Sequence, residues 1–120
     1  MRSVTKHTLE RQMGELATKA DRAALVLKCV SNKWRLLILC QLVKGEKSVG
    51  SLEQAIGLGQ SGLSQHLAIL RANKLVNTRR VSQTIYYSIR GSEATAILTA
   101  LYDLYCQSPE PPGETGDPAH

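Results

Sequence analysis

Residues 48–76 read SVGSLEQAIGLGQSGLSQHLAILRANKLV. Val49, Leu52 and Ile56 fall on one face of a short helix, and Leu63, Leu67 and Leu70 on one face of a second that runs to about Asn73. Gly57-Leu58-Gly59 lies between them as a turn. Two short helices joined by a glycine-containing turn form a helix-turn-helix, whose second member enters the major groove of DNA. At 100° per residue the three leucines of the second helix cluster within roughly 60°. Ser61, Ser64, Gln65 and Ala68 fall opposite them, where base edges would lie. A glutamine amide suits adenine, and serine can donate to or accept from several bases. Gly62 and Ala68 are small enough to let the helix sit close. His66 lies on the flank, where a packed or phosphate-touching role fits better than base readout.

Downstream of this motif, polarity alternates. Ile85, Tyr87 and Ile89 take one side of a strand and Tyr86 and Ser88 the other, with Val76 to Val81 as its partner. The hairpin tip lies near Val81-Ser82-Gln83-Thr84. Ser92 then opens a last helix, Glu93 to about Gln107, with Ile97, Leu98, Leu101, Leu104 and Tyr105 on its apolar side. Upstream, Ser31 and Asn32 are turn and N-cap candidates for a helix through Val43. That helix has almost no polar face and must be central, and Gly45 suits the turn that closes it. Before it, Leu9, Met13, Leu16, Ala20, Ala23, Leu27 and Val30 recur at alternating spacings of four and three. This predicts one long helix with a heptad seam, a stripe that suits the same helix of a second subunit and hence a homodimer.

The chain has 120 residues, enough for one modest core, and 42% of them are apolar. Its organisation is a winged helix domain over residues 1–107, with dimerisation helices at both ends. A disordered, acidic, Pro/Gly-rich tail over residues 108–120 follows. No apolar run is long enough to span a membrane, and the N-terminal stretch shows no secretory pattern, so a cytoplasmic location is expected. The net charge of +5 understates the folded part. Residues 1–106 hold 15 basic and 7 acidic side chains, a balance of +8. Residues 71–90 carry Arg71, Lys74, Arg79, Arg80 and Arg90 with no acid. A polyanion suits such a patch, although a solvated basic face accounts for the charge alone equally well. Arg79 and Arg80 on the hairpin, beside Gln83 and Thr84, are placed to grip phosphate or reach the minor groove. The candidate DNA-contacting set is therefore Gln60, Ser61, Ser64, Gln65, His66, Arg71, Arg79, Arg80, Gln83 and Thr84.

Three cysteines, Cys29, Cys40 and Cys106, are an odd number with no C-x-x-C pair, neither a disulfide scaffold nor a zinc finger. Cys40 sits in LLILCQLV (36–43), an aliphatic setting in which a thiol is often plain filler. An enzyme using these thiols for redox chemistry or persulfide transfer needs an activated, accessible thiolate. Cys40 is mid-helix among Leu and Ile, and Cys106 is near a helix C-terminus, where the dipole disfavours a thiolate. No nucleophile–base pair or phosphate-binding glycine loop is present either, so catalysis is not expected, nor is any cofactor.

The order of elements, with KCVSNKWRLLIL, LGQSGLSQHLAILRANKLVNTRR and TIYYSI, resembles the ArsR/SmtB family of winged-helix repressors from about residue 9 to 106. The fold class this implies is mainly α with a small β-hairpin, a winged helix-turn-helix in the order α-α-α-α-β-β-α. The resemblance also implies a homodimer whose first and last helices form the interface, binding a palindromic double-stranded operator and releasing it on an inducer. Lys33-Trp34 replaces the family's Pro-containing dipeptide, and the wing lacks the usual glycine. The family's metal sensors carry Cys-x-Cys in the region that here reads GSLEQAI, or His with acids along the last helix. The last helix here reads SEATAILTALYDLYC and has no His. Neither metal site is expected.

LCQLVKGEKSVGSLEQAIG and ALYDLYC instead resemble the persulfide-responsive BigR/SqrR-type branch of that family. The resemblance implies that Cys40 and Cys106, 66 positions apart, face each other from adjacent helices as sensing thiols for persulfide or sulfane sulfur. Bridging them would release the operator. A plain disulfide requires Cα atoms about 4.4–6.8 Å apart. A wider pair would resist peroxide yet accept a bridge containing extra sulfur. A second possibility has Cys29, Cys40 and Cys106 acting as three soft ligands for arsenite or a similar thiophilic ion.

Overall fold

A computed structural model describes residues 5–106; the expectations for the tail and for Gln107 lie outside the described residues. Nine elements follow in order: α1 (Lys6–Ala17), α2 (Ala20–Val30), α3 (Lys33–Val43), β1 (Lys47–Ser48), α4 (Val49–Ile56), α5 (Gln60–Ala72), β2 (Val76–Val81), β3 (Thr84–Ile89) and α6 (Glu93–Tyr105). This is the winged helix-turn-helix that the sequence pointed to, with two additions.

The first addition is a break in the long N-terminal helix. Thr18 Oγ1 donates to the Glu15 carbonyl at 2.7 Å, and the Lys19 amide turns back to Leu16 at 2.9 Å. A threonine hydroxyl that captures a nearby carbonyl competes with the helical ladder, and here the chain ends α1 and restarts. The break re-phases the apolar face. The core side of α2 is Val26, Cys29 and Val30, so of the predicted seam on this helix Val30 is buried while Leu27 stays 55% exposed. Leu9, Met13 and Leu16 on α1 are likewise exposed in the single subunit.

Local capping follows the sequence closely. Asn32 Oδ1 accepts from the amides of Trp34 and Arg35 at 2.9 and 3.1 Å, starting α3. Ser48 Oγ accepts from the Ser51 amide at 3.1 Å, starting α4. Gly57 ends α4 at φ 83°, a left-handed conformation that glycine adopts without steric cost.

The core lies under α5. Leu63, Leu67 and Leu70 are fully buried against Ile38, Leu39 and Leu42 of α3 and Leu52 of α4. α3 packs against α2, α4, α5, α6 and β3, so it is central, but it is not enclosed. Leu37, Cys40 and Val43 form an open flank. Gly62 faces inward instead of toward a ligand: a Cβ there would meet Leu58 Cγ at 3.3 Å, so its smallness serves the turn.

The second addition is a third strand. β1 pairs with β3 in the register Lys47↔Tyr87 and Ser48↔Tyr86, so the sheet order is β1-β3-β2, antiparallel throughout. Two residues carry no alternation by which such a strand could be recognised. The hairpin pairs Val76↔Ile89 through Val81↔Thr84, leaving Ser82 and Gln83 as a two-residue turn with Ser82 at φ 56°. α6 buries only Ala94 fully, while Ile97 and Leu98 pack on the core. Tyr102, Leu104 and Tyr105 stay exposed in the single subunit, so the apolar side of α6 is covered only in its first half. No helix among the described residues is long and apolar enough to cross a membrane.

Candidate nucleic-acid interface and thiol groove

The outward side of α5 presents Gln60, Ser61, Ser64 and Gln65, all exposed because its leucines occupy the opposite face. Gln60 and Ser64 line a shallow concavity together with Gln83 and Thr84 of the wing and Ile85 and Tyr87 of β3. Residues from two separate stretches thus converge on one surface. Glu53, which the sequence reading left out, lines the same concavity. Its carboxylate is an acceptor suited to cytosine N4.

The two adjacent wing arginines diverge. Directly paired residues of antiparallel strands share a face. Arg80 pairs with Ile85 and therefore lies on the side of Gln60 and Ser64; Arg79 pairs with Tyr86 on the reverse side. Arg79 is also occupied. Its Nε and Nη2 donate to Glu46 at 3.0 and 2.7 Å, and its guanidinium stands 5.3 Å from the Tyr86 ring centre. The bond to Arg79 holds the Glu46 carboxyl below its usual range, and Glu46 in turn raises Arg79. Arg80 has no carboxylate partner among the described residues.

His66 is half-buried, and Arg35 Nη1 donates to its Nδ1 at 3.2 Å, which leaves the ring proton on Nε2. Burial, then the neighbouring Arg35 charge, lowers its pKa and keeps the imidazole neutral. Arg35 Nε also donates to the Cys29 carbonyl, so this arginine ties α2, α3 and α5 together. At the C-terminal end of α5, Arg71 lines a polar recess with Lys74, Asn77, Thr78 and Arg90. Lys74 sits there at φ 61°.

A separate groove of about 500 Å³ runs between α3 and α6. Cys40 and Cys106 both line it, with Leu36, Val43, Leu98, Leu101, Tyr102 and Tyr105. Both are free, exposed thiols. Despite its aliphatic run, Cys40 is not core filler: it opens on the groove, because the core side of α3 is Ile38, Leu39 and Leu42. Its apolar neighbours still raise its pKa, with Lys44 opposing weakly, so the thiol form dominates at neutral pH. Cys29 is elsewhere. It is buried in the core, where desolvation raises its pKa against the opposing charges of Arg35 and Arg22. The three-thiol metalloid site is therefore not formed, and no group of three or more metal-ligating side chains occurs among the described residues.

Comparison with known proteins places this geometry. The family model described as "Bacterial regulatory protein, arsR family" matches residues 32–78, from the cap of α3 into the wing. The chain is 45% identical over 94 residues to the transcriptional activator HlyU of Vibrio cholerae, covering 78% of this chain and 87% of that one. It is 41% identical over 106 residues to the biofilm growth-associated repressor of Xylella fastidiosa, covering 88% and 91% respectively. The crystal structure of the transcriptional repressor BigR from Xylella fastidiosa superposes with a TM-score of 0.76 at 41% identity, covering 80% of this chain and 98% of that one.

Proposed function

The chain belongs to the ArsR family of bacterial regulatory proteins, and we propose that it is a homodimeric repressor that senses reactive sulfur species through Cys40 and Cys106. Its relatives and fold are those of DNA-binding transcriptional regulators, not of enzymes. The proposal concerns what controls it. One observation carries the reading: two thiols 66 positions apart in sequence line one groove between the central helix and the last helix.

An organic polysulfide supplies both the sulfur and the oxidising equivalents. The Cys40 thiolate attacks the central sulfur of a trisulfide RSSSR, expelling RS⁻ and forming Cys40-S-S-S-R. The Cys106 thiolate then attacks the sulfur next to Cys40 Sγ and expels the second RS⁻. The product is Cys40-S-S-S-Cys106, and the sum is two thiols plus RSSSR giving one bridge plus two RSH. A tetrasulfide donor leaves a bridge one sulfur longer when the Cys106 thiolate attacks the sulfur that carries the terminal RS group and expels RS⁻. Because the bridge grows with the donor, it tolerates a separation that a direct disulfide does not.

In the reduced protein, α5 and the wing engage the operator, with Gln60, Ser61, Ser64 and Gln65 toward the bases and Arg80, Gln83 and Thr84 on the flanking backbone or minor groove. Arg71 grips phosphate further along. The exposed stripes of α1 and α6 supply the dimer contact, so the operator is palindromic with half-sites about one helical turn apart. Bridging binds the end of α6 to α3 and changes the spacing of the two recognition helices.

The test begins by selecting a DNA sequence with reduced protein from a random pool. Affinity is then measured before and after treatment with an organic trisulfide, alongside Cys40→Ser and Cys106→Ser. Wild type should gain about 30 Da per one-sulfur bridge and release the DNA, while both variants hold it. Equal release by either variant sinks the proposal.

A further inference from the structure

Arg22 joins the thiol-bearing helix to the recognition helix. Its Nε donates to Glu93 Oε2 at 3.0 Å and its Nη2 to Glu93 Oε1 at 2.6 Å, gripping the first turn of α6 with both prongs. Nη2 also donates, at 3.2 Å, to the carbonyl oxygen of Asn73, the residue that caps the C-terminus of α5. One nitrogen with two hydrogens thus serves both helices.

The end of α5 is built to expose that carbonyl. Asn73 Nδ2 and its amide both return to the Ile69 carbonyl, at 2.9 and 3.1 Å. Lys74 then turns through φ 61°, and the Leu75 amide closes on Leu70 at 3.0 Å. The guanidinium stands at the negative end of the α5 dipole, and Glu93 lies at the positive end of the α6 dipole. The hydrogen bond from Arg22 holds the Glu93 carboxyl below its usual range, so the pair stays ionised at neutral pH. A lysine ammonium, a point donor without the planar fork, reproduces this three-way contact poorly.

We infer that Arg22 is a positioning residue that transmits movement of α6 to the C-terminus of the recognition helix. The inference rests on the sulfur-sensing reading. Cys106 and Glu93 stand at opposite ends of α6, about 20 Å apart along a helix of this length. α6 packs against α3, so a bridge that pulls on Cys106 shifts α6 as a lever. Among the described residues, Arg22 is the hydrogen-bonded route from its far end to α5. The coupling therefore runs from thiol to helix, to salt bridge, to helix cap.

The experiment measures the ratio of DNA affinities of reduced and trisulfide-treated protein for wild type, Arg22→Ala, Arg22→Lys and Glu93→Gln. Wild type should show a ratio in the usual range of coupling, about 5- to 150-fold. Arg22→Ala and Glu93→Gln should bring it below about twofold, while reduced-state affinity changes by less than about threefold. Arg22→Lys should fall between. Glu93→Gln keeps the size and an acceptor, so it reports even if Arg22→Ala fails to fold. A ratio unchanged in both variants overturns the inference, including when affinity itself drops, since that marks a merely structural role. A wild type that does not respond sinks the sulfur-sensing reading, and the coupling falls with it.

Discussion

Replacing Arg80 with alanine should weaken DNA binding in a salt-dependent way that replacing Arg79 does not. Arg80 lies on the face of the sheet shared with Gln60 and Ser64 and has no carboxylate partner among the described residues. Arg79 lies on the reverse face, gripped by Glu46 at 2.7 and 3.0 Å. Each phosphate neutralised adds about 0.9 to the slope of log affinity against log salt. A dimer presents two copies of Arg80, so Arg80→Ala should flatten the slope by about 1.8. Between 50 and 200 mM salt, a fourfold change, wild type should lose about 12-fold more affinity than the variant. The effect should be the same on selected and random duplexes, because phosphate contacts carry no sequence information. Arg79→Ala should change the slope by less than about 0.5, since breaking its ion pair offsets any phosphate contact. Fluorescence anisotropy of a labelled duplex across a salt series measures all of this. A slope that falls for Arg79→Ala and stays put for Arg80→Ala would refute the assignment of faces.

Three further outcomes follow from the packing. Leu67→Ala, at a position 1% exposed beneath the recognition helix, should cost about 2–5 kcal/mol of stability in a urea titration. Gly57→Ala places a side chain at φ 83° and should cost about 1–2 kcal/mol. Gly50→Ala, inside α4 with no heavy atom within 4 Å of the added Cβ, should instead gain up to about 1 kcal/mol. Equal effects of the two glycine changes would contradict the left-handed cap. The folded His66 pKa lies below its ordinary value of 6.5, first through burial and then through Arg35. The unfolded chain thus binds the proton more readily, so this contribution is whole above pH 6.5 and is lost as pH falls from there through the folded value. His66→Gln should flatten that acid limb of the stability profile, and an unchanged limb would count against the Arg35 bond.

The helix-turn-helix was legible because its evidence is local. Leu63, Leu67 and Leu70 repeat at the helical period, Gly57 meets a steric demand of one turn, and Asn32 and Ser48 cap within three residues of themselves. The exposed face of α5 followed as the complement of its buried face. Thr18 carried a weaker local signal, since a heptad count overrides a single hydroxyl on paper while the chain obeys the hydroxyl. Strand β1 left no pattern at all, being two residues held only by β3.

What the sequence by itself determined, then, is the helix-turn-helix with its flanking helices and hairpin, the outward row of polar side chains on α5 and the basic balance. Each depends on periodicity or composition within a short window. Tertiary structure alone decided which way each long side chain was spent. It set Arg79 on Glu46, Arg35 on His66 and Arg22 between two helix ends, and it turned Cys40 outward onto the groove that Cys106 also lines. These contacts join residues 31 to 71 positions apart. Partners so distant are selected by how helices and strands pack, a choice that no local period encodes.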